Sequence, residues 1–233
     1  MPDHQLPSNP LAAPRESLHR VAEHVLSAAL KRATGQIALR PGRGGVRTPA
    51  LPDGRVIALV GTRIVLERDG AVVQEAPVTT VRQAAAVVGV EAGFPWTRHP
   101  PGTPFTPDEP LPLDPAAAEQ LARWFELGDR ALSVLATESA MAGTGQAVVP
   151  QIFPEHFDLA ISADRVNYGA SPGDTAIDEP YLYVGPYDGP PTRDGFWNAR
   201  FGAYLPMALV ATPQDALAFF RAGRDRLAGL VRH

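Results

Sequence analysis

The chain has no cysteine among its 233 residues. Disulfides, thiolate nucleophiles, thiolate-ligated zinc and iron–sulfur clusters are therefore excluded. At this length a hydrophobic core can supply stability without cross-links. Lysine is nearly absent as well: Lys31 stands alone against 20 arginines. With abundant Ala, Gly and Pro, that bias points to a high-GC bacterial genome. No unbroken apolar run approaches the ~18 residues that a membrane span needs. Residues 1–10 show no basic stretch followed by an apolar one, so no secretory leader is expected and a cytoplasmic location is. No P-loop, dinucleotide fingerprint or Gly-x-Ser-x-Gly elbow is present.

What is present is an ordinary globular composition, with 45% hydrophobic residues and a net charge of −4. The charge is unevenly spread. Residues 1–100 carry 12 Lys/Arg against 8 Asp/Glu, and residues 101–233 carry 9 against 17. A mildly acidic molecule of this kind is not expected to bind nucleic acid. The two halves are expected to neutralise each other in part.

Residues 1–14 hold four prolines and read as a disordered tail. From Arg15 to Ala33, Leu18, Val21, Ala22, Val25, Ala29 and Leu30 recur at helical spacing, with Gly35 at the C-terminal cap. His19, Arg20 and Glu23 lie off that stripe and His24 borders it, which predicts a solvated face. Residues 36–76 change to short β-branched runs (Ile37–Leu39, Val46–Thr48, Val56–Val60, Arg63–Glu67, Ala71–Ala76). Turn signals separate them, Asp69-Gly70 the clearest, and together they predict an antiparallel meander. Thr79 or Thr80 then opens a short helix closed by Gly89. Eight prolines between 95 and 115 mark a connector over 95–113. It divides an N-terminal unit, 15–94, from a C-terminal one, 114–233.

Asp114-Pro115 is an N-cap followed by proline at the first helical position. The helix it opens runs to about Glu138, with Leu121, Trp124, Phe125, Leu132 and Leu135 on one side. Five strand-like runs follow: Val148–Phe153, Phe157–Ser162, Val166–Tyr168, Tyr181–Val184 and Phe201–Pro206. Thr212-Pro-Gln-Asp215 then resembles a capping box ahead of a final helix reaching about Leu230. The predicted fold is α+β: two antiparallel sheet units flanked by helices and joined by the Pro-rich connector.

The chemistry-bearing residues concentrate between 149 and 184. His156 and Asp158 are two apart, so on a strand they share a face. Together with Asp174 and Glu179 they are candidate ligands for a divalent metal, or an imidazole–carboxylate pair for acid–base work. Satisfied structural polar groups are the competing reading. Gly169-Ala-Ser-Pro-Gly-Asp174 offers a backbone nest for an anion, or simply connects two strands. Arg40, Arg43 and Arg47 form a small basic loop that could contact phosphate or pair with the acidic segment 155–194. Tyr181 and Tyr183 share a strand face and could line a pocket with His156. Tyr187, Phe196 and Trp197 sit in Pro- and Gly-rich loops, where aromatics often meet a ligand or partner.

Pro154-Glu-His-Phe-Asp-Leu-Ala160, Asn167-Tyr-Gly-Ala-Ser-Pro-Gly-Asp174, Glu179-Pro-Tyr-Leu-Tyr-Val-Gly-Pro186 and Phe196-Trp-Asn198 resemble an uncharacterised family of bacterial proteins, mainly from high-GC actinobacteria. Thr48-Pro49 and Ala76-Pro-Val-Thr-Thr80 look like that family too, and the resemblance covers roughly residues 15–230. It implies a cytoplasmic bacterial protein with one recurring architecture. It carries over no catalytic residue and no substrate.

Three functions follow from these residues. The first is a small-ligand-binding protein whose C-terminal pocket is lined by His156, Asp158, Ser171, Asp174, Glu179, Tyr181 and Tyr183. The second is a metal-dependent hydrolase using His156, Asp158, Asp174 and Glu179. The third is a protein-interaction module that anchors a partner on the late aromatics.

Overall fold

A computed structural model describes residues 9–95, 101–141, 148–192 and 195–230. The chain folds as α+β, with two five-stranded antiparallel sheets and flanking helices. Helix α1 (Ala12–Val21) runs without a break through a π-helical segment (Ala22–Ser27) into α2 (Ala28–Thr34), which Gly35 closes in the left-handed conformation. The helix opens three residues before the expected Arg15, and Leu11 and Pro14 are already buried. Pro14 sits in the first turn, where its missing N–H has no helical partner to lose. Of the expected tail, residues 1–8 lie outside the described residues.

The first sheet is the meander β1 (Arg40–Gly42), β2 (Gly45–Arg47), β3 (Arg55–Val60), β4 (Arg63–Arg68) and β5 (Ala71–Pro77). Its first strand lies one step later than Ile37–Leu39. The hairpin turn is the pair Arg43-Gly44, with Gly42 opposite Gly45, so the glycine-rich stretch is strand as well as turn. Helix α3 (Val81–Val87) starts at Thr80, whose hydroxyl accepts the Gln83 amide.

The long helix α4 (Pro115–Met141) begins at Asp114, whose Oδ1 accepts the Ala117 amide at 2.7 Å. The second sheet follows: β6 (Gln151–Phe153), β7 (Asp158–Ala163), β8 (Val166–Ser171), β9 (Tyr181–Pro186) and β10 (Ala203–Pro206), in the order β10-β9-β8-β7-β6. Helix α5 (Pro213–Leu230) carries the expected box: Asp215 N–H donates to the Thr212 hydroxyl, and Thr212 N–H to the Asp215 carboxylate.

The two sheets do not have separate cores. Helix α4 packs on β1 and β2 of one and on β7 and β8 of the other. Leu39 and Ile152 exchange both backbone hydrogen bonds, at 2.9 Å each, between the sheets. Leu18, Leu26, Ile57, Leu59, Leu121, Leu132, Leu159 and Leu182 belong to one continuous apolar cluster. Arg40 and Arg47 of the basic loop are absorbed into this frame, while Arg43 at the turn is exposed. Arg47 pairs with Glu67 on β4 at 3.0 Å, and Arg40 donates to the Pro150 carbonyl at 2.7 Å, so neither reaches the carboxylates of 155–194.

The face of the first helix that was expected to be solvated is largely buried. Glu23 and His24 are 0% and 1% exposed. Within the π segment Ala28 N–H reaches back to the Glu23 carbonyl, which shifts the register and turns both side chains inward. The connector covers them. Glu23 accepts hydrogen bonds from Gly102 N–H, Thr103 N–H and the Thr103 hydroxyl, at 2.9, 2.8 and 2.6 Å. His24 Nδ1 accepts Phe94 N–H, so Nε2 carries the proton and donates to the Thr103 carbonyl. Burial lowers the His24 pKa despite the neighbouring Glu23.

Candidate functional site

Strand alternation puts Leu182 and Val184 of β9 into the core and turns Tyr181 and Tyr183 to the opposite face. Across the β8–β9 ladder Tyr183 pairs with Gly169 and Tyr181 with Ser171. A Cβ at Gly169 would stand 2.4 Å from the Tyr183 ring, so the ring lies in the space that glycine leaves. Phe201 stacks on Tyr181 at 6.3 Å and meets Tyr183 edge-on at 6.4 Å. These rings form one wall of an open cleft of about 770 Å³.

A turn at 154–157 forms the floor. It departs from the expected strand: Phe157 has φ +55°, and its N–H bonds the Phe153 carbonyl at 2.7 Å. The strand begins only at Asp158, so His156 and Asp158 do not share a strand face. The turn nonetheless brings both to the cleft, with His156 exposed at the rim and Asp158 buried at the base. Gly102 of the connector presses on this turn, and a Cβ there would lie 2.3 Å from the Glu155 carbonyl oxygen. Helix α1 supplies the opposite wall through Arg15, Glu16 and His19. The His19 ring stacks on Phe157 at 5.2 Å, and its Nε2 donates to the Pro154 carbonyl at 2.6 Å. Burial lowers the His19 pKa against that hydrogen bond, which keeps the imidazole neutral.

The loop after β8 is tied down from within. Asp174 Oδ1 accepts Ala176 and Ile177 N–H at 2.6 and 2.8 Å, and Oδ2 accepts the Tyr181 hydroxyl at 2.7 Å. Burial opposes ionisation of Asp174, but these donors outweigh it and hold the carboxyl below its ordinary value. Gly173 N–H donates to the Ser171 hydroxyl and Asp174 N–H to the Ile177 carbonyl. Of the two readings of 169–174, the strand connection fits: 169–171 is strand, and the amides of Gly173 and Asp174 are already bonded. Arg15 donates to the carbonyl and carboxylate of Asp178 at 2.7 and 3.2 Å.

Asp158 contrasts with Asp174. It is 9% exposed, its Oδ2 accepts the Tyr183 hydroxyl, and its Oδ1 is buried with no hydrogen-bond partner among the described residues. Glu155 Oε2 is likewise buried with no hydrogen-bond partner among the described residues. Burial pushes the Asp158 carboxyl up, against the Tyr183 hydrogen bond, the nearby His156 and the residue's own backbone N–H dipole. Burial and the adjacent Asp158 push the Tyr183 phenol well above its usual value, so it remains a donor.

His156, Asp158, Ser171, Asp174, Tyr181 and Tyr183 therefore meet at one cleft, whereas Glu179 is exposed and outside its lining. Among the described residues no three His, Asp or Glu side chains are placed to hold a metal ion. The set His156, Asp158, Asp174 and Glu179 is not assembled, because Asp174 is turned to its own loop and Glu179 to solvent. Of the late loop aromatics, Tyr187 lines the cleft, while Trp197 is buried and Phe196 packs edge-on against it at 4.9 Å. Arg15, Glu16, His19 and Gly102 were missed by the sequence reading. No local pattern ties these positions to the 154–157 turn, so sequence alone carried no signal for them. Among the described residues no helix is long and apolar enough to cross a membrane. No family model, no curated protein and no solved structure matches the chain.

Proposed function

We propose that this chain binds a small organic molecule in the cleft between β9, the 154–157 turn and helix α1. One observation carries the reading: Asp158 is buried at the base of an open cavity with one carboxylate oxygen unpartnered among the described residues. A buried acceptor without a donor costs about 1–3 kcal/mol, a cost that a ligand bringing the donor removes. The aromatic walls and the few convergent polar groups are the usual make-up of a small-molecule site. The bacterial, cytoplasmic setting and the family likeness expected from the sequence belong to the same proposal.

The test is a thermal-shift screen of polar metabolites (sugars, amino acids, amines, nucleosides) on the wild type and on His156→Trp, which blocks the rim at an exposed position. A compound that raises the wild-type Tm and leaves the blocked variant unmoved supports the reading, because selective binding to the folded state stabilises it. Equal shifts in both proteins, or none across all four classes, overturn it.

A further inference from the structure

We propose that the cleft selects an organic cation, a protonated amine or amidine, held by Asp158 Oδ1 and Glu155 Oε2 at the floor with its carbon body against Tyr183, Phe157 and Phe201. The inference rests on the binding reading above and specifies the ligand's chemistry. Formal charge comes first. Glu16, Glu155, Asp158 and Asp174 face the cleft, and the guanidinium among the lining residues is Arg15. Arg15 is engaged by Asp178, and Glu16 by Arg20 at 3.3 Å. Asp174 has both oxygens bonded. Among the described residues, the carboxylate oxygens left buried without a donor are Asp158 Oδ1 and Glu155 Oε2. An anion would be repelled by this floor, and a ligand without N–H or O–H donors would leave it unsatisfied.

A cation answers both needs and adds a third contact. Charge-assisted N–H···O bonds are about twice as strong as neutral ones, and aromatic faces attract a cation through their quadrupole. The groups that face Asp158 are Tyr183 and Tyr181 from β9 and Glu155 and His156 from the turn. Neither tyrosine supplies positive charge, Glu155 adds to the negative potential, and His156 at the rim opposes it. A metal ion answers less well, since no third ligand stands by among the described residues.

The experiment is calorimetric titration of the full chain at neutral pH with three isosteric probes: benzylamine, benzyl alcohol and benzoate. Benzylamine is expected to bind roughly tenfold or more tightly than benzyl alcohol, and benzoate not to bind at millimolar concentration. Asp158→Asn keeps an acceptor for Tyr183 and is expected to remain folded while losing the preference for the amine. Glu155→Gln is expected to reduce it. Equal binding of amine and alcohol overturns the cation inference and leaves the binding reading standing. No binding by any of the three overturns this inference, while the metabolite screen still decides the binding reading. Amine binding that survives both substitutions overturns the placement at Asp158 and Glu155.

Discussion

Asp158 is a costly residue for the fold, and that cost is measurable. Its pKa is raised in the folded state, so between the ordinary carboxylate value and the folded value the folded chain holds more protons than the unfolded one. Stability therefore falls as pH rises through the folded pKa of this group. Asp158→Asn removes the charge and keeps the Tyr183 bond. It should raise stability at pH ~7.5 by about 1–3 kcal/mol, with a smaller gain at pH ~5, in urea titrations. A variant less stable than wild type at both pH values would mean that the carboxylate is satisfied in the fold. Gly169 gives a second test at this scale. A side chain there displaces the Tyr183 ring, so Gly169→Val should cost about 1–3 kcal/mol and abolish ligand-induced shifts in Tm. The tyrosine pair was legible from sequence, because alternation alone puts Tyr181 and Tyr183 on one face. Asp158 was named for the wrong reason: a turn with a left-handed Phe157, and not a shared strand, brings His156 near it.

At the scale of elements, the caps were the readable part. Thr80, Asp114 and the Thr212–Asp215 pair all begin helices where short polar side chains precede apolar periodicity. Local chemistry decides such sites, so a local reading finds them. The π segment was not readable, because its register depends on what covers it. Glu23 and His24 look like solvated residues until the connector supplies three donors and one acceptor. The same long-range packing hid the contribution of helix α1 to the cleft, since nothing near Arg15 or His19 in sequence indicates the 154–157 turn. Removing the clasp should loosen both. Glu23→Ala leaves the Gly102 and Thr103 amides without their acceptor and should cost about 3 kcal/mol or more in denaturant titrations. It should also raise amide exchange in the 154–157 turn, against which Gly102 packs. Exchange confined to the connector would show that the turn stands without it.

For the whole molecule, two opposing pH dependences meet. His19 and His24 have lowered pKa values when folded, so the unfolded chain takes up more protons as pH falls below the ordinary imidazole value of 6.5. Their contribution is present above that value and is lost on acidification. Asp158 acts in the other direction, its cost growing as pH rises. The two slopes therefore oppose each other in acidic solution, above the ordinary carboxylate value for Asp158 and below the ordinary imidazole value for the histidines. Asp158→Asn should remove the falling component and leave the histidine rise in place, and a variant with the wild-type pH dependence would assign the falling slope to other groups. The single apolar cluster determines how the chain responds at either limit. Leu59 belongs to the first sheet and Leu182 to the second, and both are buried in that cluster. The Pro-rich connector marks a boundary in composition, but the core continues across it. Each of Leu59→Ala and Leu182→Ala should cost about 2–5 kcal/mol and lower one shared unfolding transition, with far-UV circular dichroism and tryptophan fluorescence coincident. Two separable transitions, each shifted by only one of the substitutions, would make the sheets independent. That outcome would be at odds with a cleft walled by β9 on one side and by α1 on the other.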